Sequence, residues 1–171
     1  MGFVRFAGYE SVLWAPLAPE AIDAACHQAF GADTRVVSRE AVHHGSFNTT
    51  YRIALAARDP VILRVGPPER APLFRHERQL LARESAVHAR LARIGPVIPL
   101  VLHRDFSCTI LPRPFLFLEC KPGTLWAQAA ALIAPAQAEA LWREFGAHVR
   151  NIHAITGERF GSPLPDEGRD N

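Results

Sequence analysis

Apolar and polar residues change their spacing several times along this chain, and each change marks an element. Between Pro19 and Phe30 the apolar positions Ile22, Ala25, Cys26 and Ala29 recur at helical spacing. Pro19 suits a first turn and Gly31 a stop, so a helix is predicted over Pro19 to Phe30. The period then changes. Arg35 to Val42 reads as a strand, and Thr49 to Leu55 alternates Tyr51, Ile53 and Leu55 against Thr50, Arg52 and Ala54. Arg58-Asp59-Pro60 reads as a turn, followed by a short strand from Val61 to Val65 that ends at Gly66-Pro67-Pro68. Connections this tight predict an antiparallel meander. A long helix is expected from Pro72 to Ile94, stopped by Gly95-Pro96, with Leu80, Val87, Leu91 and Ile94 as its apolar stripe. Two more strands follow, Ile98 to His103 and Pro114 to Glu119, and then the sharp break Lys121-Pro122-Gly123. A last helix, Pro135 to Ile155, is expected to bury Ala138, Leu141, Phe145, Val149 and Ile152. The order predicts an α+β fold: a five-stranded antiparallel sheet with one packed helix, a hinge, and the first helix of a further unit.

Composition narrows the function classes. The 171 residues carry Lys+Arg 19 against Asp+Glu 17, a net charge of +2. Lys121 is the only lysine, and the arginines run from Arg5 to Arg169 among comparable acid. A spread of this kind argues against a nucleic-acid binder, which would show a clustered basic face. With 49% hydrophobic and 21% charged residues, the chain is globular material with enough length for a core. Cys26, Cys108 and Cys120 show no CxxC spacing and no disulfide framework, which predicts a reducing, cytoplasmic setting. Charge at Arg5 argues against a signal peptide, and the longest uncharged stretch, Pro122 to Ala138, is too alanine-rich and proline-broken for a membrane span. No internal repeat is visible.

Three features carry candidate chemistry. Glu84 falls within the apolar stripe of the long helix, at steps of four and three from Leu80 and Val87. A buried carboxylate needs a facing cation, and Arg64, inside the apolar strand Val61 to Val65, is the natural candidate. Such a pair either ties helix to sheet or positions a ligand, and spacing leaves both open. The turn His44-Gly45-Ser46-Phe47-Asn48 could bring backbone N–H groups to a phosphate, although one glycine in a hairpin is usually only a turn. The third feature is Phe115 to Thr124, an apolar strand that stops abruptly and could offer main-chain groups to the edge of an adenine, or be an ordinary loop.

In combination, a loop over phosphates, a strand cation paired to a helix carboxylate and a hinge after the fifth strand match the N-terminal lobe of a kinase fold. The chain resembles the aminoglycoside phosphotransferase family of small-molecule kinases, related to the choline, homoserine and fructosamine kinases. The resemblance runs from about Val36 to Pro163, on "HHGSFNTTYRIAL", "VILRVGPPE", "LLARESAVHARLARIG", "PFLFLECKPGTLW" and "LWREFGAHVRNIHAI…RFGSP". It implies that Gly45, Ser46, Phe47 and Asn48 form the loop over the triphosphate. Arg64 would take the place of the phosphate-touching lysine of many kinases, and Glu84 would orient it. The backbone of Glu119 and Lys121 would bind adenine, with Leu118 lining the pocket, and His153 would end the helix before the catalytic half. The implied cofactors are ATP, or GTP, with Mg²⁺, and the implied partners are nucleotide and a small-molecule acceptor, with no nucleic acid or membrane. The implied domains are an extension with a helix (1–34), a kinase-like N-terminal lobe (35–118), a hinge (119–126) and the beginning of a C-terminal lobe (127–171).

Two departures qualify the resemblance. Arginine is a planar, permanently charged fork, bulkier than the ammonium of lysine, yet it still pairs with carboxylate and phosphate. The H-G-D-x-x-x-x-N segment that positions the acceptor and Mg²⁺ does not occur among the 171 residues. The chain by itself is therefore expected to be inactive, with no catalytic residue or metal ligand of its own. The alternative is a non-catalytic nucleotide-binding or interaction module, or a remnant that pairs with a separate chain carrying the C-terminal lobe. His103-Arg104-Asp105-Phe106 imitates a kinase catalytic loop, but Ile110 stands where the asparagine should be and the segment precedes the hinge. His43 and His44, adjacent on an extended segment, point to opposite sides and make a poor metal pair.

Overall fold

The computed structural model describes residues 13–42, 47–95, 97–157 and 161. The chain divides into two compact units, one of residues 1–82 and 101–120, the other of residues 83–100 and 121–171.

The first unit is built on a five-stranded antiparallel sheet. Helix α1 (Pro19–Phe30) precedes the strands β1 (Val36–Ala41), β2 (Thr49–Leu55) and β3 (Arg58–Val65), and β4 (Val101–Asp105) and β5 (Phe115–Glu119) complete the sheet. The spatial order is β1-β2-β3-β5-β4. The bounds of α1 and β2 are those the periodicity predicts. Two other predictions need correction. Arg58-Asp59-Pro60 is not the turn but the start of β3. The turn is Ala56-Ala57, with Ala57 at φ 62, because Leu55 already pairs with Arg58. The register slips between Ile53 and Leu55, and that irregularity accommodates Pro60, which cannot donate to a ladder. The fourth strand starts three residues later than its apolar run suggests and runs past His103 to Asp105.

Alternation along β2 and β3 sorts the core into two layers. Tyr51, Ile53, Leu55, Val61, Leu63, Val65, Phe115 and Phe117 pack with Ile22, Ala25 and Cys26 of α1 on one face. Leu116, Leu118, Ile62 and Val101 cluster with Leu81 on the other. β5 is therefore covered on both sides, which is why its sequence is an unbroken apolar run. The sheet thus carries α1 on one face and Leu81, of the predicted helix, on the other. The Cys26 thiol is pushed up to about 11, chiefly by burial, so it stays protonated. All three cysteines are free.

An irregular segment before α1 is strapped onto β2. Thr49 Oγ1 donates to the Ala15 carbonyl at 3.0 Å and accepts from its N–H at 3.1 Å. The Leu17 N–H donates to the Tyr51 hydroxyl at 2.7 Å, and Arg113 donates to the Ala15 carbonyl at 2.9 Å. Arg39 pairs with Asp23 and ties β1 to α1. After β3, the Gly66 N–H bonds the Pro114 carbonyl at 2.9 Å, and a Cβ on Gly66 would lie 3.0 Å from the Pro114 ring. Glycine allows that close approach without displacing the ring.

Helix α2 (Leu80–Leu91) is shorter than the predicted helix from Pro72. Gln79 sits at φ 59, a left-handed conformation that an α-helix cannot pass through. Upstream of it lies only a 3₁₀ turn, Arg75–Glu77, whose Glu77 carboxylate accepts the Phe74 N–H at 2.9 Å. The interruption also shifts the buried face. Leu81 and Ser85 are the buried residues of α2, one position on from the predicted Leu80 and Glu84, and Val87 is exposed. The second unit holds the rest of α2, α3 (Trp126–Ala129) and α4 (Pro135–His153). In α4 the predicted burial does not occur: Leu141, Phe145 and Ile152 are exposed. No helix among the described residues is long and apolar enough to cross a membrane.

Candidate functional site

Pairing register decides which side chains share a face of the sheet. Arg64 stands opposite Thr50 on β2 and Leu116 on β5, and Ile62 stands opposite Leu118. Residues two apart or directly paired point the same way, so Arg64 projects from the Ile62, Leu116 and Leu118 face, away from α1. It is a half-buried cation beside Ile62, Leu116 and Leu118, on a face that also carries Thr50, Arg52 and Arg104, and its Nε is shielded from solvent. Sequence reasoning named Arg64 and Leu118 but missed Thr50, Ile62 and Leu116. Only the register reveals them, since their types are ordinary for a strand.

The loop residues divide. Gly45 and Ser46, like His43 and His44, lie outside the described residues. Phe47 is half-buried, and Asn48 is buried at 8% exposure, two residues before Thr50 at the head of β2. The Asn48 Oδ1 is enclosed and accepts no hydrogen bond among the described residues. An enclosed amide oxygen without a donor is a costly arrangement that a polar ligand would relieve.

At the other end of the face, Leu118 is buried and Glu119 ends β5, paired with Val61. The first unit closes at Cys120. Phe47, Asn48, Arg64, Leu118 and Glu119 therefore all belong to the first unit, on two adjoining hairpins. Glu84 and Lys121 belong to the second. Within that unit the Glu84 side chain is 20% exposed, with its carboxylate 3.9 Å from His88 Nε2 one turn on. His88 in turn contacts the Pro99 carbonyl through Nδ1 at 2.8 Å. Glu84 is thus less buried than a residue at the centre of an apolar stripe. The cause is the one-position rotation of the buried face of α2.

The kinase-loop imitation has a structural explanation. The Asp105 Oδ1 accepts the Ser107 hydroxyl at 2.6 Å and the Ser107 N–H at 2.7 Å, and its Oδ2 accepts the Gln28 amide at 3.0 Å. The carboxylate caps the turn after β4 and ties it to α1. Those bonds, the Ser107 hydroxyl first, hold its carboxyl below the usual carboxylate range. A folded-state pKa below the unfolded value adds stability above about pH 4, lost as pH falls through the folded value. Asp105→Ala should cost about 1.5–3 kcal/mol at neutral pH, the scale of hydrogen bonds to a charged group. Urea melts of both proteins from neutral pH to about pH 3 should show this difference shrinking with acid. A constant difference would show that the carboxylate is not the source of it.

Among the described residues no group of three His, Cys, Asp or Glu could hold a metal ion. The profile of the phosphotransferase enzyme family matches residues 38–171. No curated protein matches the chain. Among solved structures, the fold is similar to a protein from Ralstonia eutropha JMP134 provisionally assigned as an aminoglycoside phosphotransferase. The TM-score is 0.60 at 20% identity, over 82% of this chain and 39% of that one. The chain thus spans well under half the length of that protein. The sheet is that of a kinase-like N-terminal lobe, with the Arg64 cation on the face away from α1. That fold and a profile running over nearly all of the strands and helices agree: the chain belongs to the phosphotransferase enzyme family.

Proposed function

We propose that this chain is the nucleotide-binding portion of an ATP-dependent phosphotransferase acting on a hydroxyl of a small molecule, an aminoglycoside-like antibiotic or a metabolite. One observation carries the reading: Arg64 stands on the face opposite α1, paired with Thr50 at the head of β2 and with Leu116 near the start of β5. The residues fit a nucleotide. A cation with Leu116 on one side and the Thr50 hydroxyl on the other suits an anionic group beside an apolar base, and the enclosed Asn48 amide lacks a partner for its oxygen among the described residues. Bound Mg·ATP would supply the γ-phosphoryl group. Gly45, Ser46, Phe47 and Asn48 would cover the phosphates, and Arg64 would hold the α- and β-phosphates with Glu84 orienting its fork. Leu118 would line the base pocket, and the main chain of Glu119 and Lys121, at the hinge, would read the adenine edge.

The aspartate that positions an acceptor hydroxyl, and the groups that hold Mg²⁺, would come from a segment not found among these 171 residues. The chain by itself would bind nucleotide weakly and not turn over. A thermal melt with and without excess Mg·ATP tests the reading. Ligand at one hundred times its Kd adds about 2.7 kcal/mol, a readable rise in Tm. GTP in parallel distinguishes the base. No rise with either nucleotide, or acceptor phosphorylation that survives Arg64→Ala, would sink the proposal.

A further inference from the structure

We propose that Arg113 and Tyr51 form a buried site for a small monovalent anion, which locks the strap before α1 onto the head of β2. The proposal does not rest on the nucleotide reading. Its first observation is a cation without a counter-charge. Arg113 is 6% exposed, and two residues to either side of it Leu111 and Phe115 belong to the core beneath α1. Its Nη2 donates to the Ala15 carbonyl at 2.9 Å, while Nη1 is enclosed and has no partner among the described residues. No carboxylate among them pairs with it. Arg39, less buried, does meet a carboxylate, that of Asp23. Burial holds the Arg113 guanidinium below its ordinary pKa, yet it stays protonated at neutral pH. An ion enclosed without a counter-charge is strongly unfavourable.

The second observation is another donor beside it. Tyr51 is 5% exposed, and its hydroxyl accepts the Leu17 N–H at 2.7 Å, which leaves its own O–H to donate. It donates to no acceptor among the described residues. Arg113 and Tyr51 act on one short stretch, because only Pro16 separates Ala15 from Leu17. The guanidinium and the phenol therefore stand within about 10 Å of each other, and the phenol is the ionisable group whose field reaches Arg113. Thr49 is already satisfied, since its Oγ1 donates to the Ala15 carbonyl and accepts the Ala15 N–H. Two buried donors that carry one positive charge and face no acceptor are the complement of an anion. Enclosure selects a compact anion of single charge, since a second charge would itself be buried unpaired. Bound there, it bridges Arg113 to Tyr51 and holds Ala15 and Leu17 against β2.

Thermal melts without nucleotide test this, with chloride as the probe. Sodium gluconate is exchanged for sodium chloride at constant ionic strength, so that general screening does not change. The Tm of the full chain should rise with chloride, by about 5–10 °C at one hundred times the Kd. Arg113→Met keeps the length of the side chain without the charge and should abolish the rise. Tyr51→Phe removes one donor and should reduce it. Arg64→Ala should keep it in full, because Arg64 lies on the other face of the sheet. Circular dichroism checks that each variant folds. No rise in the wild type would overturn the proposal, and so would an equal rise in Arg113→Met. Loss of the rise in Arg64→Ala would overturn it too, by moving the anion to the proposed phosphate site. Where Arg113→Met does not fold, Tyr51→Phe decides, and an undiminished rise there overturns the proposal. Nucleotide is absent throughout, so the anion site can fail while the nucleotide reading stands, and the reverse.

Discussion

Phe117→Ala should be the most destabilising single substitution in the first unit, costing about 3–5 kcal/mol. Phe117 has no solvent exposure and lies on β5 between Leu63 of β3 and His103 of β4. Its ring meets Phe30 of α1 at 4.9 Å and Phe115 at 5.9 Å, both edge-on. Truncation would remove these contacts and leave a cavity joining strand to helix, which a close-packed layer cannot collapse to fill. A chain of this size loses about 2–4 °C of Tm per kcal/mol, so the drop should be about 6–20 °C. Phe145→Ala is the informative control. Helical spacing marks Phe145 as a core residue of α4, yet it is exposed in the chain. Its truncation should therefore fall within about 0.5 kcal/mol of wild type, the range of surface substitutions. Equal losses at the two positions, measured by urea unfolding, would refute this placement of the core.

Arg64→Ala should weaken nucleotide binding by about 10–100-fold, because a hydrogen bond to a charged group contributes about 1.5–3 kcal/mol and each 1.4 kcal/mol is tenfold. Arg64→Lys keeps the charge but not the planar fork and should fall between the two. Isothermal titration with Mg·ATP reads the affinity, and a melt without nucleotide reads the fold. The two roles left open by spacing then separate. A ligand-holding arginine lowers affinity with little change in the nucleotide-free melt. A purely structural one lowers the melt and leaves the affinity of the surviving folded protein unchanged, and that result would remove Arg64 from the proposed site. The corresponding change at Glu84, to glutamine, should weaken binding less, since it acts through the arginine.

Much of the first unit is legible in the residues. Local alternation predicts β2 to the residue, and helical spacing with Pro19 and Gly31 predicts α1. The apolar run of β5 signals a strand covered on both faces. Residue types alone mark the charge at Arg64 as an anomaly within an apolar strand. These features depend on near neighbours in the chain, which is the range over which periodicity carries information.

The remaining features depend on long-range contacts. The position of β5 between β3 and β4 follows from pairings between distant segments, and only that order brings Leu116 opposite Arg64. The break before α2 comes from Gln79 in a left-handed conformation, a state that glutamine's composition does not advertise. It turns the buried face from Leu80 and Glu84 to Leu81 and Ser85. Thr49, Tyr51 and Arg113 hold Ala15 and Leu17 through bonds that no spacing reveals. In α4 the periodicity correctly shows an amphipathic helix, and the structure shows that its apolar side is open. The physical reason is common to all four cases. A sequence pattern records that a side chain prefers to leave water, but what it meets there is decided by parts of the molecule far away in the chain.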